Sequence, residues 1–489
     1  MNVPSPERAI LPEFRNHRRG RFGGAAWIFL ATSMIAGVLF ILINPPFWGN
    51  DGLSQYSRAY QVSHGQFLPQ EIEWGGKGES YGGSIPAPVW ELYTHAATDL
   101  GANPAEPEAM ILEPERYDEL GSAEYRSDES NLIWFTNTAA YSPVPYVPAA
   151  VASLIAEFGG ASVDTALRGM ALASLLAYVI PVFAALVVVR ASRSRWLLLV
   201  LSLLPPALLQ SATITADALT NGVALLFAAL MMRVSLERRA LSGLQTALLY
   251  ASVLLLPLGK PSYMVLVLLV IAAPRALLRG PSWLRWAALG ASTAAWGGWT
   301  LATRGISDVL AFYRSDYEQR DFGMAPMIEQ TLSDPLGFIA NAARTLFYRD
   351  NFFFLDLIGS SNVRVPSTAM LAMTVVVVIA IALLPRFTLS ERWSKRIWIG
   401  ASAISVLAIF GTLYVSFTPV GFYLIDGVQG RYFFPLWPVI LLTVAAYFPL
   451  RWQLTGASAT RVGVAVSSVA VAAVMVTVAK FWYVVWVGA

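Results

Sequence analysis

Long apolar runs separated by short basic or long acidic segments set the pattern of this chain. A membrane-spanning helix needs roughly 20 apolar residues. Eleven runs approach that length, near 27–46, 165–189, 196–212, 217–233, 243–259, 262–274, 285–303, 366–385, 397–415, 433–450 and 462–486. The run at 262–274 is short. A twelfth, 145–158, is too short to span and reads as a re-entrant or interfacial helix. The pattern predicts an all-α polytopic membrane protein of about 11 transmembrane helices. Its parts are a basic N-terminus (1–26), a first helix (27–46), a large loop with juxtamembrane helices (47–143), a helical block (144–303), a second, smaller loop (304–365) and C-terminal helices (366–489).

The charges orient these elements. Cytoplasmic loops carry an excess of Lys and Arg. With the N-terminus inside, residues 1–26 and loops 190–195, 233–242, 275–285, 386–396 and 451–461 hold 20 of the 34 Lys and Arg, but only 4 of the 31 acids. Loop 47–143 then lies outside, with 15 acids against 4 bases, and so does 304–365, with 8 against 6. An odd number of spans leaves the C-terminus outside. The first run is too long for a cleaved leader, and no small-x-small site follows it.

Composition agrees: of 489 residues, 56% are hydrophobic and 13% charged, with mean hydropathy +0.54. There are no cysteines, so thiol nucleophiles, disulfides and thiolate metal sites are excluded. His17, His64 and His95 are too scattered to suggest a metal cluster. A net charge of +3 gives no reason to expect a nucleic-acid partner. Membrane lipids are the expected surroundings, and the sequence sets no oligomeric state.

The first loop opens with "NPPFWGNDGLSQYSRAYQVSHG", where Leu53–Ser63 has the pattern of a short amphipathic helix. Its middle, rich in Pro and Glu, reads as surface loop. It ends in "IWFTNTAAYSPVPYVP", with aromatics suited to the bilayer interface. The second loop carries "FYRSDYEQRDF" and "LFYRDNFFFLD" and reads as a cover over part of the first.

With this topology, four charged residues from separate segments fall at the outer boundary. Asp51 follows the first run. Asp217 opens the fourth, with Thr220 and Asn221 on the same helix face at i+3 and i+4. Lys260 stands in "LGKPSY", the only lysine between Lys77 and Lys395. Arg431 stands in "DGVQGRYFFP", with Asp426, Gln429 and Tyr432. Each has a plainer reading. Asp51 is a turn residue in "GNDG". Asp217 caps its helix. Lys260 snorkels to the interface. Arg431 pairs with Asp426. Charges near the apolar layer are costly and are usually paired or functional, and four converging on one side favour a site. A Lys and an Arg suit a lipid phosphate, and a carboxylate facing them suits a general base. That is the equipment for moving a sugar from a lipid carrier to a hydroxyl.

The stretches "NDGLSQYSRAYQVSHG", "SPVPYVPAAVASLIAEFGG", "LSLLPPALLQSATITADALTNGVALL", "LLPLGKPSY" and "GVQGRYFFPLWPV" resemble a family of polytopic bacterial membrane proteins, long labelled only as a domain of unknown function. That family is similar in layout to the C-type (GT-C) glycosyltransferases. The resemblance implies a GT-C fold in the bacterial inner membrane, with a catalytic acid in the first outer loop. It implies a polyprenyl-phosphate sugar donor, a glycan or lipid acceptor of the cell envelope, and no cofactor. By position Asp51 is that acid. The expected pattern is Asp-Glu with His three residues on; here Gly52 and Gln55 stand at the last two places. One carboxylate is a poor site for a divalent metal, so metal-independent inversion is expected. Lys260 and Arg431 would hold the donor phosphate, supported by Asp217, Thr220, Asn221 and Gln429. Trp48, Tyr56, Arg58, Trp134 and Tyr141 would contact sugar or acceptor.

Two other classes of function compete. A flippase for lipid-linked glycans would want mid-membrane charges and broken helices; Pro181, Pro205 and Pro206 lie within apolar runs, but the charges crowd one face. A non-catalytic scaffold of an envelope-assembly complex would explain Gly52 and Gln55 as lost chemistry.

Overall fold

The computed structural model describes residues 22–74, 79–101, 110–348, 365–385, 392–447 and 452–488. The basic N-terminal segment up to residue 21, most of "LFYRDNFFFLD", and parts of the 386–396 and 451–461 loops lie outside the described residues.

In chain order the helices are α1 (Gly24–Ile43), α2 (Gly52–Ser63), α3 (Ala87–Gly101), α4 (Pro114–Gly121), the single turn α5 (Thr136–Ala139), α6 (Val147–Phe158) and α7 (Val163–Val188). Then come α8 (Arg195–Ser202), α9 (Pro205–Ser211), α10 (Asp217–Met231), α11 (Gly243–Gly259), the short α12 (Met264–Val267), α13 (Trp283–Ala302), α14 (Ile306–Glu318), α15 (Met324–Ser333) and α16 (Pro335–Tyr348). The last four are α17 (Ser367–Ala382), α18 (Arg392–Phe417), α19 (Trp437–Tyr447) and α20 (Gly456–Trp486).

Among the described residues five helices are long and apolar enough to cross a membrane: α1, α7, α10 with its π-helical extension to Leu236, α18 from Ser394, and α20. Apolar helices of 10–17 residues account for 243–259, 367–382 and 437–447. The run 196–212 is not one helix. It breaks at Leu203–Leu204, and Pro205 starts α9, where its missing N–H costs no helical bond. The run 262–274 is a chain of 3₁₀ and α turns. The expected short helices at 53–63 and 145–158 are present as α2 and α6.

α10 is the axis of the bundle. In its most apolar window 89% of residues are buried, against 33–50% in the other four long helices. It packs on α7 and α11. Small residues allow this: a Cβ on Gly222 would come 2.9 Å from the Tyr178 carbonyl oxygen of α7. The outer faces of α1, α7, α17 and α20 expose Ile35, Ile180, Leu371, Val378 and Val476, an apolar surface suited to lipid on helices that satisfy most backbone groups internally.

The first loop is not wholly helical. It holds an antiparallel sheet in the order β1 (Gln70–Glu73), β2 (Glu79–Pro86), β3 (Ser130–Trp134), with Gln70 opposite Gly82 and Gly82 opposite Trp134. Gly82 lies in the middle strand, where a Cβ would run into the Ile133 carbonyl. Gln61 of α2 donates to the Gly82 carbonyl at 3.2 Å, tying the sheet to α2.

Candidate functional site

The turn between α1 and α2 carries Asp51. Phe47 and Asp51 both have left-handed backbone, φ 66° and 57°. Such residues cost about 1–3 kcal/mol each and gather at sites the surroundings hold in place. Asp tolerates this region better than most residues. Gly52 has a steric reason: a Cβ there would collide with the Phe47 carbonyl group. The Glu expected at this position has no room for even its first carbon.

Asp51 precedes α2 but its side chain does not cap that helix. One oxygen accepts from Arg431 Nη2 at 3.2 Å, the other from Asn137 Nδ2 at 3.4 Å. Asn137 belongs to α5, which Thr138 anchors by donating to the Ser54 carbonyl at 2.8 Å. Ser142 donates to the Leu258 carbonyl at 2.6 Å, fixing the same segment to the end of α11 just before Lys260.

Gln55 is fully buried. Its Oε1 accepts from Tyr146 at 2.6 Å and from the Ala216 amide at 3.3 Å. The residue in the expected His position thus joins α2 to the start of α10.

Asp217 does not cap α10: it is the first helical residue, behind Ala216. It accepts from Gln210 Nε2 at 2.6 Å and pairs with Lys260 Nζ at 2.5 Å. Arg431 Nη1 lies 4.0 Å away. Lys260 does not snorkel; it is turned inward, its ammonium 4.4 Å from the centre of the Tyr432 ring. The Arg431 guanidinium approaches the same ring at 5.3 Å. The expected Arg431–Asp426 pair is absent: Asp426 pairs with Arg314 at 3.2 Å, leaving Arg431 to reach across to Asp51.

The four charges therefore form one row, Asp51–Arg431–Asp217–Lys260, alternating in sign. Side-chain exposure is 43% at Asp51, then 10%, 6% and 10%. The row balances its charges, which is what permits burial, and Asp51 is its open end. Burial opposes the charge on Arg431, but Tyr432, Asp217, Asp51 and Tyr141 outweigh it and hold the guanidinium above its ordinary pKa. Its Nε is buried without an acceptor.

The remaining expected residues divide. Thr220 bonds the Ala216 carbonyl at 2.8 Å and fills the space over Gly259. Asn221 is buried, its Nδ2 without an acceptor. Gln429 precedes the 3₁₀ turn Gly430–Phe433 that carries Arg431, and its carbonyl accepts from the Tyr432 amide. Tyr141 lies near Asp217, Arg431 and Asp51, and burial raises its pKa. Trp134 is half-buried in β3. Three expected contacts, Trp48, Tyr56 and Arg58, are buried and brace the fold, with Arg58 Nε alone among their side-chain donors lacking an acceptor among the described residues. Trp48 donates to the Ala96 carbonyl. Tyr56 is buried and bonds Tyr125 at 3.0 Å. Arg58, wholly buried, bonds Gln61 and the Gln66, Phe67 and Tyr141 carbonyls; burial lowers its pKa to about 10, and it stays charged at neutral pH.

Sequence reasoning missed Gln210 and Asn137. Gln210 lies seven residues before Asp217, across a helix end that hides their proximity. Asn137 sits among aromatics, with no pattern to mark it. Among the described residues no group of three His, Cys, Asp or Glu side chains could hold a metal ion.

Behind the Asp51 turn is a shallow open cleft, lined by Ile41, Pro45, Phe47, Leu167, Ala171 and Ile214 among others, with the Asp164–Arg168 ion pair in its wall.

Residues 34–442 match the model of a family described as a predicted membrane protein (DUF2142). The chain belongs to that family. No curated protein and no solved structure matches it. The DUF2142 match runs from within α1 into α19, so it takes in Asp51, Asp217, Lys260 and Arg431 together.

Proposed function

We propose that this DUF2142 chain is a membrane glycosyltransferase of the GT-C type. It moves a sugar from a polyprenyl-phosphate donor to an envelope glycan or lipid acceptor, on the extracytoplasmic side of the bacterial inner membrane. The observation that carries this reading is the charge row, whose exposed end is a carboxylate on a strained turn and whose buried part is assembled from three distant segments.

Asp51 acts as general base. It takes the proton of the acceptor hydroxyl as that oxygen bonds the anomeric carbon. The bond from that carbon to the phosphate oxygen breaks, polyprenyl phosphate leaves, and the configuration inverts. Arg431 serves the leaving phosphate, since its Nε has no acceptor among the described residues and a guanidinium suits phosphate oxygens. Lys260 has a different part from the one its charge alone suggests. Held against Asp217, it keeps that carboxylate from competing for Arg431. The cleft beside the Asp51 turn offers an apolar wall to a substrate's lipid chain.

The test is a comparison of envelope glycans and lipid-linked sugars in wild-type and deletion strains. The proposal expects one sugar to disappear from the glycan while its polyprenyl-phosphate form accumulates. Accumulation of a complete lipid-linked glycan on the cytoplasmic face would instead favour a flippase. Loss of several unrelated glycans with no accumulating donor would favour a scaffold.

A further inference from the structure

Helix α16 is amphipathic the wrong way round for a surface in water. Its polar residues Asn341 and Thr345 face the protein. Thr345 Oγ1 accepts from the Ile425 amide at 2.7 Å, and Asn341 Nδ2 approaches the Tyr414 hydroxyl at 3.4 Å. Its apolar residues face outward: Leu336 (75% exposed), Ile339, Leu346 and Phe347 (82% exposed). These recur at helical spacing along one side. The only charge in the helix sequence, Arg344, is exposed and donates from its guanidinium to the Asn341 side-chain oxygen Oδ1 at 3.2 Å.

The depth of packing agrees. The Phe338 ring of α16 packs against that of Tyr414 in α18, tilted by 47° with centroids 5.3 Å apart, and its tip lies 3.8 Å from where a Cβ on Gly411 would be. Gly411 is six residues before the end of α18, so about 9 Å inside that end at 1.5 Å per residue. The apolar face is also continuous in kind with the exposed Leu407 and Ile404 of the same spanning helix. An exposed apolar helix face packed on a spanning helix whose own exposed side chains are apolar has the bilayer as its natural occupant.

We propose that α16 is seated in the bilayer, its Leu336–Phe347 face buried in the leaflet on the Asp51 side. The second loop does pack on the first, through Ile306 against Phe135 and Ala139; its last described helix is then a membrane-embedded strut. The inner face of that strut holds Ile425, six residues before Arg431, so the segment carrying Arg431 of the charge row rests on a lipid-anchored support.

The absence of native cysteine makes the test direct. Leu336→Cys, Ile339→Cys and Phe347→Cys would be spin-labelled one at a time in the full chain in liposomes. Collision with oxygen and with a water-soluble nickel chelate would be measured. Val378→Cys on α17 gives the lipid reference, and Glu329→Cys on α15, also exposed, the aqueous one. The proposal expects the three labels to match Val378→Cys: open to oxygen, closed to nickel. Nickel accessibility equal to that of Glu329→Cys would overturn it. So would exclusion of both reagents with spin–spin broadening between copies, which would assign the face to a second copy of the chain. All three positions are on the surface, so the variants keep the packed face of α16 intact.

Discussion

At the scale of single residues, the row of four charges gives opposite expectations for its two ends. Asp51 is half in solvent and carries the proposed chemistry. Asp217 and Lys260 are buried and carry the architecture. Removing one partner of a buried pair leaves an uncompensated charge and costs about 3–5 kcal/mol. Lys260→Met is therefore expected to lower thermal stability in detergent strongly, and Lys260→Met with Asp217→Asn to recover much of the loss. Equal destabilisation by the single and double variants would show that the pair is not coupled. Gly52 makes a separate prediction. Gly52→Glu supplies the residue the resemblance leads one to expect, yet it should lower both stability and transfer, because its Cβ meets the Phe47 carbonyl. Gain of transfer by this variant would mean that the turn opens.

At the scale of elements, the site depends on joints that single helices cannot supply. Gln55 joins α2 to α6 through the turn holding Tyr146, and to the start of α10. Gln55→Ala leaves the Ala216 amide without an acceptor, at a cost of about 1–3 kcal/mol. A melting measurement should register that loss, and a melting temperature equal to wild type would contradict it. Here the limits of sequence reasoning are also clearest. Asp51, Asp217, Lys260 and Arg431 were legible because charges beside apolar runs are rare. Their partners were not. Pairing of Arg431 with Asp426 is the natural choice from five residues' separation, but Arg314 from a distant loop takes Asp426. Trp48, Tyr56 and Arg58 look like contacts for sugar because aromatic and basic residues near a loop start carry no mark of burial. The small sheet escaped notice because its strands are four to eight residues long, with glycines where packing is closest.

At the scale of the whole molecule, hydropathy located the long apolar helices but not α3, α4, α14, α15 and α16 in the two loops, and charge asymmetry supplied an orientation. Length separated the runs less well. Pro205 breaks one apolar run into two short helices, and 262–274 lacks a regular helix, so apolar content alone overstates what spans as a single rod. The orientation has its own test in the cysteine-free chain. Ser127→Cys should react with a membrane-impermeant maleimide in cells whose outer envelope is opened, and Arg238→Cys only after the inner membrane is permeabilised. The reverse order of labelling would invert the topology and put the charge row on the cytoplasmic face.

The central claim is that Asp51 is the base for transfer. The most direct measurement is sugar transfer by Asp51→Asn at wild-type protein level and melting temperature, with glycan and lipid-linked donor quantified in the same cells. The account predicts a loss of about 10²–10⁴-fold, with donor accumulating as in the deletion. Wild-type glycan from cells carrying Asp51→Asn would contradict it and leave Asp51 as a turn residue only.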